Sequence, residues 1–247
     1  MDAKTILVTG GSRGIGEELV RGFAAQGHRV VLNYSRSGDE AEAVASALKD
    51  EPGDIMCCQA NVAQRDSVRQ MFAAVADRWG MVDVLINNAG INLDGPFLTM
   101  TDDQWQQVQD VVLTGTFICS QEYAKRFQGT RGQIINMGAA TALHGRKNGA
   151  NYCSAKAGVI SLTKCLAQEL APTIAVNCVI PGFMETEEVM ERFQLHDPVK
   201  REQMEARIPQ GRLGTVRDIF RMTSFLVNEA TYVTGQNLFV NGGQYMG

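Results

Sequence analysis

Nothing in this sequence is long and apolar enough to cross a bilayer as a helix. The longest apolar runs are strand-sized, such as residues 5–9 and 82–86, against the roughly 20 residues that a transmembrane helix needs. There is no excess of positive charge either. The chain has 23 Lys and Arg against 27 Asp and Glu, a formal net charge of -4. That disfavours a nucleic-acid surface, which carries a basic footprint, and leaves room for a local basic patch facing an acidic partner. The six cysteines, Cys57, Cys58, Cys119, Cys153, Cys165 and Cys178, contain no CxxC pair. Most lie among apolar neighbours, so the expectation is free thiols in a reducing cytoplasm, with neither disulfides nor a metal site. The N-terminus runs straight into a strand without a charged n-region and an apolar h-region, so no secretory signal is expected. No Gly/Ser/Pro-rich linker and no repeat divides the chain, which predicts one domain over residues 1–247.

What the chain does have is regular alternation. Its 247 residues are 45% hydrophobic and 20% charged, enough to bury a substantial core. Strand patterns at 5–9, 29–34, 55–59, 82–87, 133–137 and 174–179 alternate with helix patterns at 15–26, 40–50, 65–79, 102–126 and 151–171. This order predicts an α/β fold, a Rossmann-type doubly wound parallel sheet covered on both faces. Residues 183–208 differ: they are charge-rich, contain Asp197-Pro198 and separate the last of these strands from a final helix. A lid over a site is expected there, the alternative being a solvated helical excursion.

Between the first strand and first helix lies Thr9-Gly10-Gly11-Ser12-Arg13-Gly14-Ile15-Gly16. Glycines at such a turn permit positive φ and let the backbone approach a pyrophosphate, which the free N–H groups of the helix N-terminus attract. Strand-then-helix context is what gives this pattern its meaning. Nucleotide type is read at the end of the second strand, Asn33-Tyr34-Ser35-Arg36. No acid stands there to bind a ribose 2′-OH, while Arg36 and Arg13 suit a 2′-phosphate. The cofactor expected is therefore NADP(H).

The turn, Asn87-Asn88-Ala89-Gly90, Tyr152-Cys-Ser-Ala-Lys156, Pro181-Gly182 and the closing Thr234-Gly235-Gln236 and Asn241-Gly242-Gly243 together resemble the classical short-chain dehydrogenases/reductases over essentially the whole chain. Ala150-Asn151-Tyr152 and Arg212-Leu213-Gly214 are similar to segments of bacterial 3-oxoacyl-[acyl-carrier-protein] reductases. The resemblance implies cofactor contacts from Gly10, Ser12, Arg13, Gly14, Ile15 and Gly16, from Tyr34, Ser35 and Arg36, and from Asn61 and Val62. It adds Asn88, Ala89, Gly90, Tyr152, Lys156, Pro181, Gly182 and Thr186. It also implies NADPH-dependent reduction of a carrier-bound 3-oxoacyl thioester to the 3-hydroxyacyl form, in fatty-acid or polyketide biosynthesis.

Ketone reduction needs a proton donor beside the hydride. A phenol titrates near 10 unless a cation lowers it. Tyr152 and Lys156, four apart on a predicted helix, share one face, which suggests Tyr152 as general acid and Lys156 as its electrostatic partner. Two further groups of the family's tetrad are missing. The serine position is Ala139 and the asparagine position is Val112. If the chain past the fifth strand is extended, Thr141 faces the same side as Ala139 and offers a substitute hydroxyl. The alternative for Thr141 is a hydroxyl bonded to local backbone, and His144 is another possible donor. The two absences also admit a catalytically impaired, nucleotide-binding or regulatory partner subunit. Lys125, Arg126 and Arg131 form a thin candidate patch for an acidic carrier. By resemblance the two long helices form a dimer interface within a homotetramer or homodimer, with a hetero-oligomer left open.

Overall fold

In the computed structural model, which describes residues 3–246, the core is organised by seven parallel strands. They are β1 (Thr5–Val8), β2 (Arg29–Tyr34), β3 (Asp54–Gln59), β4 (Val84–Asn87), β5 (Gly132–Met137), β6 (Ile174–Pro181) and β7 (Asn237–Val240), in the order β3-β2-β1-β4-β5-β6-β7. All four residues of β1 are buried. Successive side chains leave a strand on opposite faces. Ile6 and Val8 therefore enter one apolar layer with Leu19, Phe23, Leu32 and Phe220. Leu7 enters the other with Val31, Met71, Leu85, Ile118 and Ile134. The strand order reverses between β1 and β4, and in such sheets the crevice beyond the carboxyl ends at that point takes the ligand.

The helices are α1 (Gly14–Ala25), α2 (Gly38–Ala47), α3 (Arg65–Trp79), α4 (Asp102–Val108), α5 (Gly115–Arg126), α6 (Thr141–His144), α7 (Ala150–Leu170), α8 (Glu187–Arg192), α9 (Pro198–Glu205) and α10 (Val216–Asn228). Helices α1 and α10 pack closely because Gly22 has no side chain. A Cβ there would lie 2.2 Å from the Phe220 ring. The predicted alternation, single-domain architecture and parallel sheet are all observed. The domain expectation also covered residues 1, 2 and 247, which lie outside the described ones.

Two sequence expectations need correction, and one strand was missed. The helix predicted over 102–126 is not continuous. It passes from α4 through a π-helical turn, Gln109–Thr114, into α5. Val112, fully buried beside Val108, Ala155 and Val159, lies within that turn. Thr116 Oγ1 donates to the Val112 carbonyl at 2.7 Å. The turn therefore forms without the amide expected at that position. Residues 141–144 are not extended but form α6, with Ala142 N–H donating to the Ala139 carbonyl. In a helix, positions two apart do not share a face, so the alternation argument for Thr141 fails. β7, a short edge strand beside β6, was not anticipated.

Segment 183–208 is built from α8 and α9. Thr186 caps α8. Asp197, with Pro198 following it, caps α9 by accepting from Val199 N–H at 2.9 Å. An apolar cluster of Leu195, Met204, Ile208 and Leu213 holds it together, with Phe183 and Phe193 packed against it.

Candidate active site

The glycine-rich turn connects β1 to α1. Gly10 and Gly14 take positive φ, 62° and 56°, which side-chain-bearing residues rarely adopt. A Cβ at Gly16 would sit 2.0 Å from the Gly10 carbonyl oxygen, so the turn closes this tightly only without a side chain there. No side chain caps α1, which leaves its first-turn N–H groups available to an anion. Asn88 steadies the turn from β4, donating from Nδ2 to the carbonyls of Thr9 at 3.0 Å and Gly10 at 2.9 Å. The Thr9 hydroxyl accepts from the N–H groups of Asn88 and Ala89. Thr186 is brought against the same turn, its Cγ2 3.5 Å from where a Gly14 Cβ would stand.

At the end of β2, Arg36 and Ser35 are exposed, as is Arg13 across the turn. Neither arginine has a salt bridge or side-chain hydrogen bond among the described residues. Ser12 Oγ lies 2.7 Å from Ser37 Oγ. Asn33, read above only as the absence of an acid, is buried. It donates to the Ala60 carbonyl at 3.0 Å and links β2 to β3. Asn61 accepts from Ala63 N–H at 3.1 Å, so its side chain turns the chain into α3. Val62 is buried against Gly115. Gly90 is exposed at the crevice, and Gly182 fits so closely that a Cβ would meet Gln244 Oε1 at 2.4 Å. In the strand order the loops after β1, β2 and β3 stand on one side of the β1–β4 reversal and those after β4 and β6 on the other.

Tyr152 and Lys156 sit one turn apart on α7. Their helix is fixed from beneath by buried polar groups: Asn136 Nδ2 donates to Thr163 Oγ1 at 2.9 Å, and Asn87 Nδ2 to Asn136 Oδ1 at 2.8 Å. Lys156 is buried, and Nζ donates to the Met137 carbonyl at 2.6 Å, 5.8 Å from the Tyr152 ring centre. Burial lowers its pKa to about 8, with the Cys178 thiol acting the other way. Burial pushes the Tyr152 phenol up to about 12; Arg146 works against that shift, while Glu188 and Cys153 add to it. Asn151, quoted above only as part of a fingerprint, is fully buried. It donates to the carbonyls of Leu93 at 2.8 Å and Gln104 at 3.1 Å, clamping α7 to α4 and to the loop after β4.

Sequence reasoning missed a polar cluster above Tyr152. The Arg146 guanidinium lies over the Tyr152 ring at 4.9 Å. Its Nη2 donates to Asn92 Oδ1 at 2.8 Å and to Asp94 Oδ1 at 2.7 Å. Asp94 is also paired with Arg192 of α8, and Asn92 Nδ2 donates to Glu188 of α8 at 2.7 Å. Gly145 and Gly149 on either side of Arg146 were the one available hint, since they mark a turn. Neither sequence candidate in α6 is tied to this cluster. His144 is exposed, its Nδ1 2.7 Å from the Gly145 carbonyl, and Thr141 makes no side-chain hydrogen bond.

Two of the candidate docking cations are engaged. Arg126 pairs with Glu122, and Arg131 donates to the Ala230 carbonyl at 2.9 Å. Lys125 is exposed. Among the described residues no group of His, Cys, Asp and Glu gathers as a metal set, all six thiols are free, and no helix is long and apolar enough to span a membrane.

A parallel sheet with a glycine-rich phosphate turn at its reversal point and a Tyr–Lys pair beside it defines a nucleotide-dependent oxidoreductase. The chain belongs to the short chain dehydrogenase family, whose profile matches residues 4–196. Among its relatives, the 3-oxoacyl-[acyl-carrier-protein] reductase FabG of Staphylococcus epidermidis (strain RP62A) is 42% identical over 246 residues, covering 98% of this chain and 99% of the relative. The 3-oxoacyl-[acyl-carrier-protein] reductase of Synechocystis is 38% identical over 250 residues, covering 100% and 98%. A crystal structure of a short-chain dehydrogenase/reductase (glucose/ribitol dehydrogenase) from Brucella melitensis superposes with a TM-score of 0.92 at 29% identity, covering 99% and 97%.

Proposed function

We propose that this protein reduces 3-oxoacyl thioesters, carried on an acyl carrier protein, to their 3-hydroxyacyl forms with NADPH. One observation carries the reading. A Tyr152–Lys156 pair on one face of α7 stands beside an intact phosphate turn, in a chain 42% identical over almost its whole length to reductases of that name. The dinucleotide fits the residues present. The uncapped first turn of α1 suits the pyrophosphate, and the unpaired Arg13 and Arg36 suit a 2′-phosphate.

A reduced nicotinamide bound there supplies the hydride. The Tyr152 hydroxyl gives its proton to the ketone oxygen, its O–H bond breaking as the product hydroxyl forms. The phenolate left behind faces the cations Arg146 and Lys156, at 4.9 and 5.8 Å from its ring centre. Segment 183–208 closes over the acyl chain as a lid. Six free thiols suit a reducing compartment, and we place the reaction in the cytoplasm. Self-assembly into a dimer or tetramer covers the half-exposed aromatics Trp105 and Phe117 on the α4–α5 face and Phe225 on α10.

A second reading rests on Ala139 and Val112. Without a serine hydroxyl and an asparagine amide, the chain serves as a nucleotide-binding partner of an active reductase. The assay that separates them follows NADPH absorbance with 3-oxoacyl thioesters of several chain lengths. Turnover by the purified protein supports reduction, with NADPH preferred to NADH and its Kd weakened about 10- to 100-fold in Arg36→Ala. Tight NADPH binding with no turnover at any chain length, joined to copurification with an active reductase, establishes the second reading instead.

A further inference from the structure

By the family resemblance Ala139, two residues past β5, leaves Tyr152 without the tetrad hydroxyl, yet the phenol ring has a charged neighbour on the turn between α6 and α7. The Arg146 guanidinium stacks on its ring at 4.9 Å, closer than the Lys156 ammonium at 5.8 Å. The stacking is built rather than incidental. Asn92 and Asp94, both on the loop after β4, each accept from Nη2, at 2.8 and 2.7 Å. The buried Nε has no hydrogen-bond partner among the described residues, so the stem is held by packing and by the Nη2 anchors. Gly149 makes the space: a Cβ there would lie 2.5 Å from Nε and 2.7 Å from Cγ. An arginine that merely coated the surface would show neither the double anchor nor the cleared floor.

We propose that Arg146 is a positioning residue for Tyr152, holding the phenol ring in place and favouring its ionised state in a chain that lacks the tetrad serine. The claim rests on the reading of Tyr152 as proton donor. A guanidinium over a ring face stabilises negative charge on that ring. The phenol bears such charge only after its proton has gone to the alkoxide, so the contact strengthens as the reaction proceeds. The other charged or titratable groups around Tyr152 do not duplicate this role. Glu188 of α8 opposes ionisation of the phenol, as does Cys153 on its own helix, whereas Arg146 favours it. Asp94 is shared between Arg146 and Arg192, and Lys156, the other cation facing the phenol, stands farther from its ring at 5.8 Å with Nζ donating to the Met137 carbonyl. Arg146 shares its Asp94 anchor with α8, so the cation over the tyrosine and the segment above it are fastened at one point.

The test replaces Tyr152 with 3,5-difluorotyrosine, whose phenol titrates low enough to be followed by absorbance while the fold is intact. It needs no turnover. Arg146→Gln should raise the titration midpoint by about one pH unit, and Arg146→Lys, which keeps the charge, by less than half of that. In the natural-tyrosine background Arg146→Gln should lower kcat about tenfold and leave KM within about twofold, with Arg146→Lys restoring part of kcat. Should Arg146→Gln fail to fold, Arg146→Met, which retains the stem packed on Gly149, gives the same reading. A folded variant with an unchanged midpoint overturns the proposal. So does a change confined to KM, which would make Arg146 a substrate contact. Unchanged turnover in Tyr152→Phe would overturn the catalytic reading of the tyrosine while leaving a shifted midpoint, and hence the electrostatic contact, standing.

Discussion

Ala139 and Arg146 both lie on the stretch between β5 and α7, one distinguished by what it lacks and the other by what it adds. A preorganised hydroxyl donor to the reacting carbonyl is typically worth on the order of 10²–10³ in rate. Groups that act as a unit are not additive, so restoring one recovers only part of that. Ala139→Ser should therefore raise kcat by about 10- to 100-fold on a 3-oxoacyl thioester, with NADPH Kd unchanged. The gain should be smaller in Arg146→Gln, because the serine helps only a phenol already held in place. A wild-type kcat equal to that of Ala139→Ser would mean that another donor already fills the serine's position. Ala139, Val112, Tyr152 and Lys156 are all legible in the sequence, because each stands at a fixed distance from a motif. Arg146 is not. Its placement depends on a turn closed by Gly145, at φ 74°, and on partners 52 and 54 positions away. No local pattern encodes such distances.

The elements divide in the same way. Strands buried on both faces announce themselves because they need unbroken apolar residues, as Ile6, Leu7 and Val8 supply in β1, whereas the half-buried β7 did not. The π-helical turn at Gln109–Thr114 left no trace, because a local widening barely disturbs the 3.6-residue apolar rhythm. α6 was hidden for a related reason. An alanine-rich segment after a strand is consistent with either an extended or a helical path, and the helix wins through the Ala142 and Leu143 N–H bonds to Ala139 and Ala140. α8 has only six residues, too few to be stable alone, so its position against the loop after β4 depends on tertiary anchors. Arg192 to Asp94 and Glu188 to Asn92 supply them. Arg192→Ala should free α8, raising the rate of limited proteolysis within 183–208 several-fold and raising KM for the acyl substrate more than it lowers kcat. Unchanged proteolysis and KM would show that the apolar cluster around Leu195 holds the segment without the ion pair.

Across the whole molecule, α3 and α5 are riveted to each other by one buried carboxylate. Glu122 is almost wholly buried and receives Arg65 at 2.8 Å, Arg69 at 3.4 Å and Arg126. Burial alone would raise its pKa, but hydrogen bonds from Arg126 and Arg65 outweigh it and bring the group from 4.5 down to about 2. A carboxylate whose folded pKa lies below its unfolded one binds fewer protons in the folded state. Its contribution to stability is therefore complete above about 4.5 and is lost as pH falls towards about 2. Glu122→Gln removes the charge and leaves three arginines facing a neutral amide. At neutral pH this should cost about 2 kcal/mol, or roughly 5 °C in Tm at fixed protein concentration, discounted because the arginines are partly exposed. The difference should shrink through the window from about pH 4.5 to about pH 2, where the native carboxylate takes up its proton. A gap between the two melting curves that stays constant through that window would show that the loss comes from packing rather than from charge.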